Sequence, residues 1–261
     1  NSNHARATAV AAARQGLRSH LVLRGEEPAL PDGNLLLDRM LGARTTFITH
    51  AQWPDRDAIM AEIAARHAAE GGVGYAIPEG GSNGLGCLGY VRCVEELLDH
   101  ERGEGIRIRR VIHATGSGGT TAGLALGFAA AGRDDVDVVG VAVCDDTAYF
   151  DAKIGGICDE AATLGAVSAD VRARARWTIV EGYKGDGYGM TTAPELRDIA
   201  EVARQEGVLL DPVYSGKAWR GLVGETEAGR LGRDGATVFL HTGGIFGLYA
   251  FRKEIAALPS A

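Results

Sequence analysis

Arg110-Val111-Ile112-His113-Ala114-Thr115-Gly116-Ser117-Gly118-Gly119-Thr120-Thr121-Ala122-Gly123-Leu124-Ala125 passes from a short β-branched segment through a glycine-rich turn into a helical stretch. A strand, a glycine junction and a helix in that order form the repeating unit of parallel α/β proteins. The unit recurs along the chain. Strands are expected at residues 20–23, 45–48, 75–77, 110–113, 136–143, 178–180 and 237–241. Helices are expected between them at 5–15, 33–41, 55–69, 85–100, 120–131, 194–205, 217–227 and 247–256. Several strand segments are unbroken apolar runs, as when helices cover both faces of a sheet. The fold class is therefore α/β with parallel sheets.

Glycine contributes 38 of the 261 residues, about twice the usual ~7%. The excess gathers at Gly80-Gly81, from Gly116 to Gly119, and at Gly243-Gly244. In a parallel sheet such junctions lie at the carboxyl ends of strands, where ligands bind. A glycine also eases any tight turn, so no single loop decides the matter.

The rest of the composition is that of an ordinary globular chain, 46% hydrophobic and 23% charged. This length buries a full core without disulfides or metals. Lys+Arg 27 against Asp+Glu 34 leaves a net charge of −7, with no basic run. Such a surface repels phosphate backbones and excludes nucleic acid as a partner. No apolar stretch approaches the ~20 residues of a membrane span, and the first residues carry no signal-peptide core, so a cytoplasmic protein without membrane contact is expected. Cys87, Cys93, Cys144 and Cys158 form no C-x-x-C pair and no zinc-like cluster, and are taken as reduced core thiols.

The turn from Thr115 to Thr120 opens a helix, whose first N–H groups make an anion site. It is not a dinucleotide fingerprint, because Thr121 stands where the third glycine belongs. Thr115 likewise removes the first glycine of a nucleophile elbow. Gly216-Lys217 is not a nucleotide-phosphate loop, since Ala218 replaces the magnesium-binding hydroxyl. A phosphate cup without nucleotide hallmarks points to a phosphorylated cofactor.

Several further blocks, in order, resemble one family: Ser2-Asn3-His4-Ala5-Arg6-Ala7-Thr8, His20-Leu21-Val22-Leu23-Arg24, Gly33-Asn34-Leu35-Leu36-Leu37-Asp38, Gly80-Gly81-Ser82-Asn83, Asp211-Pro212-Val213-Tyr214-Ser215-Gly216-Lys217 and His241-Thr242-Gly243-Gly244. The resemblance is to the D-cysteine desulfhydrase / 1-aminocyclopropane-1-carboxylate deaminase family. These are pyridoxal-phosphate enzymes of the tryptophan synthase β-like fold, fold type II, with two parallel-sheet α/β domains clasping the cofactor. The resemblance implies a small domain at residues 1–84, a large cofactor-binding domain at 85–261, and a homodimer.

It also implies roles. Thr115, Gly116, Ser117, Gly118, Gly119 and Thr120 would hold the cofactor phosphate, and Asn3 its phenolic oxygen. Ser2, Asn3, His4 and Asn83 would face the substrate, with Ser2 in a catalytic position. Ser2 and Asn3 are by type also plain helix caps. Tyr188 and Tyr214 match two tyrosines facing the substrate, although a tyrosine beside Gly or Pro is commonly a packed loop aromatic. A phenol there can move a proton if its pKa falls from ~10. Ser215 and Thr242 stand where the deaminase branch has Glu and Leu, which resembles the desulfhydrase branch. A hydroxyl at 215 would leave the pyridine nitrogen neutral, and a bend at Gly216 would let Tyr214 and Ser215 reach opposite parts of the cofactor.

A Schiff-base lysine is required. In the family it lies upstream of the Ser-Asn-His block. The only lysines here are Lys153, Lys184, Lys217 and Lys253, and none matches it; Lys217 is read as structural. A chain opening with Asn1-Ser2-Asn3 inside a motif is expected to lack that part of the large domain. The resemblance implies a lyase acting by β-elimination on a small amino acid, D-cysteine first, releasing pyruvate, ammonia and sulfide. L-Cysteate sulfo-lyase and 1-aminocyclopropane-1-carboxylate deaminase activities are alternatives. A non-catalytic module holding an amino acid or cofactor is the alternative from another class. No metal is expected.

Overall fold

The computed structural model describes residues 2–258. The chain divides into two compact units, Asn1–Gly80 and Gly81–Ala261. The division falls after Gly80, not after residue 84, because the intervening loop is tied into the second unit. Gly84 N–H donates to Glu160 Oε2 at 2.9 Å, and Ser82 Oγ donates to Ser117 Oγ at 2.7 Å.

The first unit contains α1 (Asn3–Arg14), β1 (His20–Arg24), α2 (Gly33–Met40), β2 (Arg44–Ile48) and α3 (Arg56–Ala69). Strands β1 and β2 pair in parallel, from His20 opposite Arg44 to Arg24 opposite Ile48. Ser2 starts α1 by accepting from Ala5 N at 3.1 Å, and Asp32 starts α2 by accepting from Gly33 N at 2.8 Å. Such caps satisfy helix donors that have no carbonyl partner. Helix α2 turns Gly33, Asn34, Leu35 and Asp38 inward, and Ala9, Leu21, Ile48 and Ile63 are buried with them. The strand expected at 75–77 does not form. Gly71, Gly72, Gly74 and Pro78 interrupt the segment, and Val73 and Tyr75 are exposed.

The second unit carries α4 (Leu88–Glu104), β3 (Ile108–Thr115), α5 (Gly119–Ala130), β4 (Asp137–Ala142), α6 (Thr147–Thr163), α7 (Ala169–Arg174), β5 (Thr178–Val180), α8 (Ala193–Glu206), α9 (Ser215–Glu227), β6 (Ala236–Phe239) and α10 (Arg252–Ala256). Its sheet has the order β5-β4-β3-β6, and every pair is parallel. Helix α5 is buried nearly all round. It packs so closely on α4 that a Cβ at Gly123 would come 2.2 Å from the Cys87 carbonyl oxygen. Leu124, Phe128 and Val94 fill one cluster with Ile108 and Val111, whereas Ala218 of α9 packs with Ile112, Val139 and Val141.

Helices α6 and α7 were not expected. In α6 the pair Gly155-Gly156 breaks the helical pattern in sequence, but Asp146 caps the helix through Tyr149 N at 2.8 Å, and Phe150, Ile154, Ile157 and Cys158 are buried. The helix expected at 247–256 is a 3-10 run, Ile245–Phe251, ending in the short α10.

From β3 the chain adds β4 and then β5 on one side, and β6 returns to the other side of β3. That is a switch point, and the loops after β3 and β6 leave the carboxyl ends of its strands. No described helix is long and apolar enough to cross a membrane.

Candidate active site

The loop from Thr115 to Gly119 occupies the carboxyl end of β3. Gly118 takes a left-handed conformation, φ 88°, and α5 begins at Gly119. Gly119 N–H donates to Ser82 Oγ at 3.1 Å, and Ser82 passes its own proton to Ser117 Oγ at 2.7 Å. The Ser117 proton therefore points away from this pair. Among the described residues, the N–H groups of Thr120 and Thr121 meet no acceptor from the chain. Together with the positive end of α5 they form an anion cradle. Thr115 contributes only its backbone position. Its hydroxyl is buried and 3.0 Å from Thr121 Oγ1, which also neighbours the buried His113 Nε2 at 3.4 Å.

The Tyr214 ring covers one side of the loop. A Cβ at Gly116 would lie 2.7 Å from Tyr214 Cε1. The Tyr214 hydroxyl lies 2.6 Å from that of Tyr188, and the rings meet edge-to-face at 6.0 Å between centroids. Tyr188 is 45% exposed. Burial, then the Tyr188 hydroxyl and the Asp211 carboxylate, push the Tyr214 phenol above its usual range. The condition of a lowered phenol pKa is thus not met, because nothing cationic is among the groups acting on it.

The expected bend at Gly216 is also absent. Gly216 sits inside α9, which starts at Ser215. The turn comes earlier, made by the Asp211 carboxylate, which accepts from Val213 N at 3.0 Å, Tyr214 N at 3.1 Å and Ser215 N at 2.7 Å. Ser215 Oγ donates to Asp211 Oδ1 at 2.8 Å and accepts from Asp211 N at 2.7 Å. A serine has one proton. With that proton on Asp211, Ser215 retains only acceptor capacity toward anything else. Lys217, 1% exposed, donates through Nζ to the carbonyls of Lys184 at 2.7 Å and Gly187 at 2.8 Å. It fixes the glycine-rich loop that carries Tyr188.

Thr242 is exposed on the turn after β6. His241 shapes that turn, donating from Nε2 to Leu209 O at 2.9 Å and accepting from Gly243 N at Nδ1, 3.0 Å. Asn83 Oδ1 accepts from Gly86 N at 2.7 Å and so shapes its own turn.

In the first unit Ser2, Asn3 and His4 open α1, each partly buried. Asn3 Oδ1 accepts from Asn34 Nδ2 at 2.7 Å. Burial lowers the His4 pKa. Ser82, Asn34 and Asp211 were not singled out for roles in advance. A hydroxyl or amide directly after a glycine, and an Asp two residues before Val213, were the available signals.

A family of pyridoxal-phosphate dependent enzymes matches residues 1–243. The chain belongs to this family. It is 38% identical over 98% of its length to the bifunctional D-cysteine desulfhydrase/1-aminocyclopropane-1-carboxylate deaminase of Arabidopsis thaliana, spanning 65% of that protein. It is 36% identical to the D-cysteine desulfhydrase of Serratia proteamaculans, over 97% of this chain and 76% of the relative. A crystal structure of an ACC deaminase homologue, 36% identical, superposes with a TM-score of 0.87 over 98% of this chain and 75% of that one.

The family resemblance, the type II α/β fold and pyridoxal phosphate as the family's cofactor all hold. The residues present fit this cofactor. Its phosphate is a small anion, and the chain offers a cradle of amides and a serine hydroxyl in a loop where a Cβ at Gly116 would collide with Tyr214. Among the described residues no metal-ligand cluster occurs.

Proposed function

We propose that the chain belongs to a pyridoxal-phosphate-dependent lyase that removes a β-substituent from a small amino acid. D-Cysteine is the proposed substrate, and pyruvate, ammonia and sulfide are the products. The observation that carries this reading is the Tyr188–Tyr214 hydroxyl pair, 2.6 Å apart, beside the glycine loop.

When bound, pyridoxal phosphate supplies the electron sink that makes an amino acid's Cα–H acidic. The residues of this chain bind the cofactor and hold a proton for the leaving group, while the Schiff-base lysine is none of its four lysines. The Thr120 and Thr121 amides, with the Ser117 hydroxyl, would hold the phosphate. Burial holds the Tyr214 phenol above its usual range, which suits it to act as a proton donor and not as a phenolate base. A proton held there is available to the sulfur that departs with the β C–S bonding pair. Tyr188, partly exposed and hydrogen-bonded to Tyr214, returns a proton from solvent. By the resemblance alone, Asn3 would meet the cofactor's phenolic oxygen, and Ser2 with His4 the substrate carboxylate.

Ser215 and Thr242 favour the desulfhydrase reading over the deaminase. In the resemblance these positions carry Glu and Leu in deaminases, and Ser215 cannot place a carboxylate on the pyridine nitrogen. A homodimer belongs to the proposal on the resemblance alone, and a cytoplasmic location on the sequence reading alone. The test is an assay of the full-length holoenzyme over a panel of amino acids, measuring sulfide, sulfite and 2-oxobutyrate. Sulfide with equimolar pyruvate from D-cysteine is the expected result. Sulfite from L-cysteate, or 2-oxobutyrate from 1-aminocyclopropane-1-carboxylate, without sulfide from D-cysteine overturns the substrate assignment.

A further inference from the structure

Three side chains of the first unit form a chain of donors with a fixed direction. Arg6 Nε donates to Asn34 Oδ1 at 3.3 Å, and Asn34 Nδ2 donates to Asn3 Oδ1 at 2.7 Å. The middle member, on α2, is 0% exposed, and α1 carries the other two. A carboxamide can be turned either way round, so its orientation is set by its partners. A guanidinium is always charged and has only donors. Arg6 can therefore meet only the oxygen of Asn34, which commits Asn34 Nδ2 to Asn3, and Asn3 Oδ1 to Asn34. Asn3 Nδ2 is then the end left to meet an acceptor beyond this chain.

We infer that Asn34, oriented by Arg6, is a positioning residue that holds Asn3 as a hydrogen-bond donor toward the phenolic oxygen of pyridoxal phosphate. The inference rests on the proposed contact between Asn3 and that oxygen. An amide nitrogen presented to an anionic oxygen stabilises it, whereas an amide turned to present its carbonyl repels it. Asn34→Asp reverses the chain with almost no change in shape. A carboxylate accepts only, so Asn3 turns its Nδ2 to Asp at position 34 and its Oδ1 to the cofactor.

The test is titration of the full-length apoprotein with pyridoxal phosphate, following the visible band and its pH midpoint, in wild type, Asn3→Ala and Asn34→Asp. Asn34→Asp is expected to weaken cofactor binding about tenfold to hundredfold, the size of one hydrogen bond to a charged group. It is also expected to raise the pH midpoint of the band, a shift that loss of packing alone does not produce. Asn3→Ala separates the two claims. If Asn3→Ala weakens binding and Asn34→Asp does not, the positioning role is overturned while the Asn3 contact stands. If neither variant changes binding, the Asn3 contact fails and the positioning role with it. Should Asn34→Asp not fold, Arg6→Glu reverses the same chain from a less buried position, with Arg6→Gln as the control that keeps a donor. Equal cofactor affinity in Arg6→Glu and Arg6→Gln then overturns the inference.

Discussion

Lys217 Nζ reaches the Gly187 carbonyl oxygen at 2.8 Å, one residue before Tyr188, and so a buried ammonium on α9 sets the position of a phenol on a separate loop. Its other bond, to the Lys184 carbonyl, closes the same loop. Burial draws the lysine's pKa below its usual value, and Glu195 and Asp211 pull it back up. All of its visible work is structural.

Lys217→Met removes both bonds while filling the same space. Turnover is expected to fall about tenfold, a barrier change of ~1.4 kcal/mol, with pyridoxal phosphate still bound. Borohydride reduction followed by peptide mapping is expected to find the cofactor on a peptide other than that of Lys217. Finding it on Lys217 would make this residue the Schiff-base lysine and contradict the assignment.

A methyl group at residue 116 would strike the Tyr214 ring, with 2.7 Å between Cβ and Cε1. Gly116→Ala is expected to cost ~1–3 kcal/mol in overpacking and to lower turnover further by moving the phenol. Gly156→Ala is the contrast, because that glycine lies inside α6 with open space around its Cα. It is expected to stabilise the protein by ~0.5–1 kcal/mol without altering turnover. Urea denaturation and steady-state rates on both variants distinguish a packing collision from a general effect of alanine.

His113 is fully buried on β3 and donates from Nδ1 to the Ala114 carbonyl at 3.0 Å; burial takes its pKa from 6.5 down to about 4. Above pH 6.5 it is neutral whether the chain is folded or unfolded. As pH falls toward 4, the unfolded chain takes up the proton first, and stability is lost. At pH 4.5 the loss is on the order of 2–3 kcal/mol. Asp38, raised to about 6 by burial, titrates with the opposite sign, its contribution being lost as pH rises through 6. Comparing wild type with His113→Gln removes the Asp38 effect. The variant is expected to lose less stability than wild type between pH 7 and pH 4.5, and an equal loss contradicts the burial of a neutral imidazole.

The parallel architecture was legible because the β3 strand, the glycines after it and the apolar α5 agree at every level, from propensity to burial. Helix α6 was hidden by Gly155-Gly156, whose weak local signal is overridden by the burial of Phe150, Ile154 and Ile157. The strand at 75–77 failed for the opposite reason, since a short apolar run between Gly74 and Pro78 stays exposed and unpaired. The glycine turn after β3 was legible from its strand–turn–helix order, and the structure sets Tyr214 against it with Tyr188 alongside. The position of the turn before α9 was not legible, since Asp211 makes it with side-chain hydrogen bonds that leave no periodic trace. Nor was the state of Tyr214, which depends on burial and on a second phenol 26 positions away in sequence.

Steady-state turnover of D-cysteine by the Tyr214→Phe holoenzyme, with the cofactor band recorded on the same samples, tests most directly whether the tyrosine pair does the proton chemistry. Phenylalanine keeps the ring against Gly116 and removes only the hydroxyl that meets Tyr188. Turnover is expected to fall by roughly 10²–10⁴, the usual contribution of a positioned acid, while the band and the affinity for pyridoxal phosphate stay at their wild-type values. Unchanged turnover would contradict the proposed role and leave Tyr214 as a packing residue.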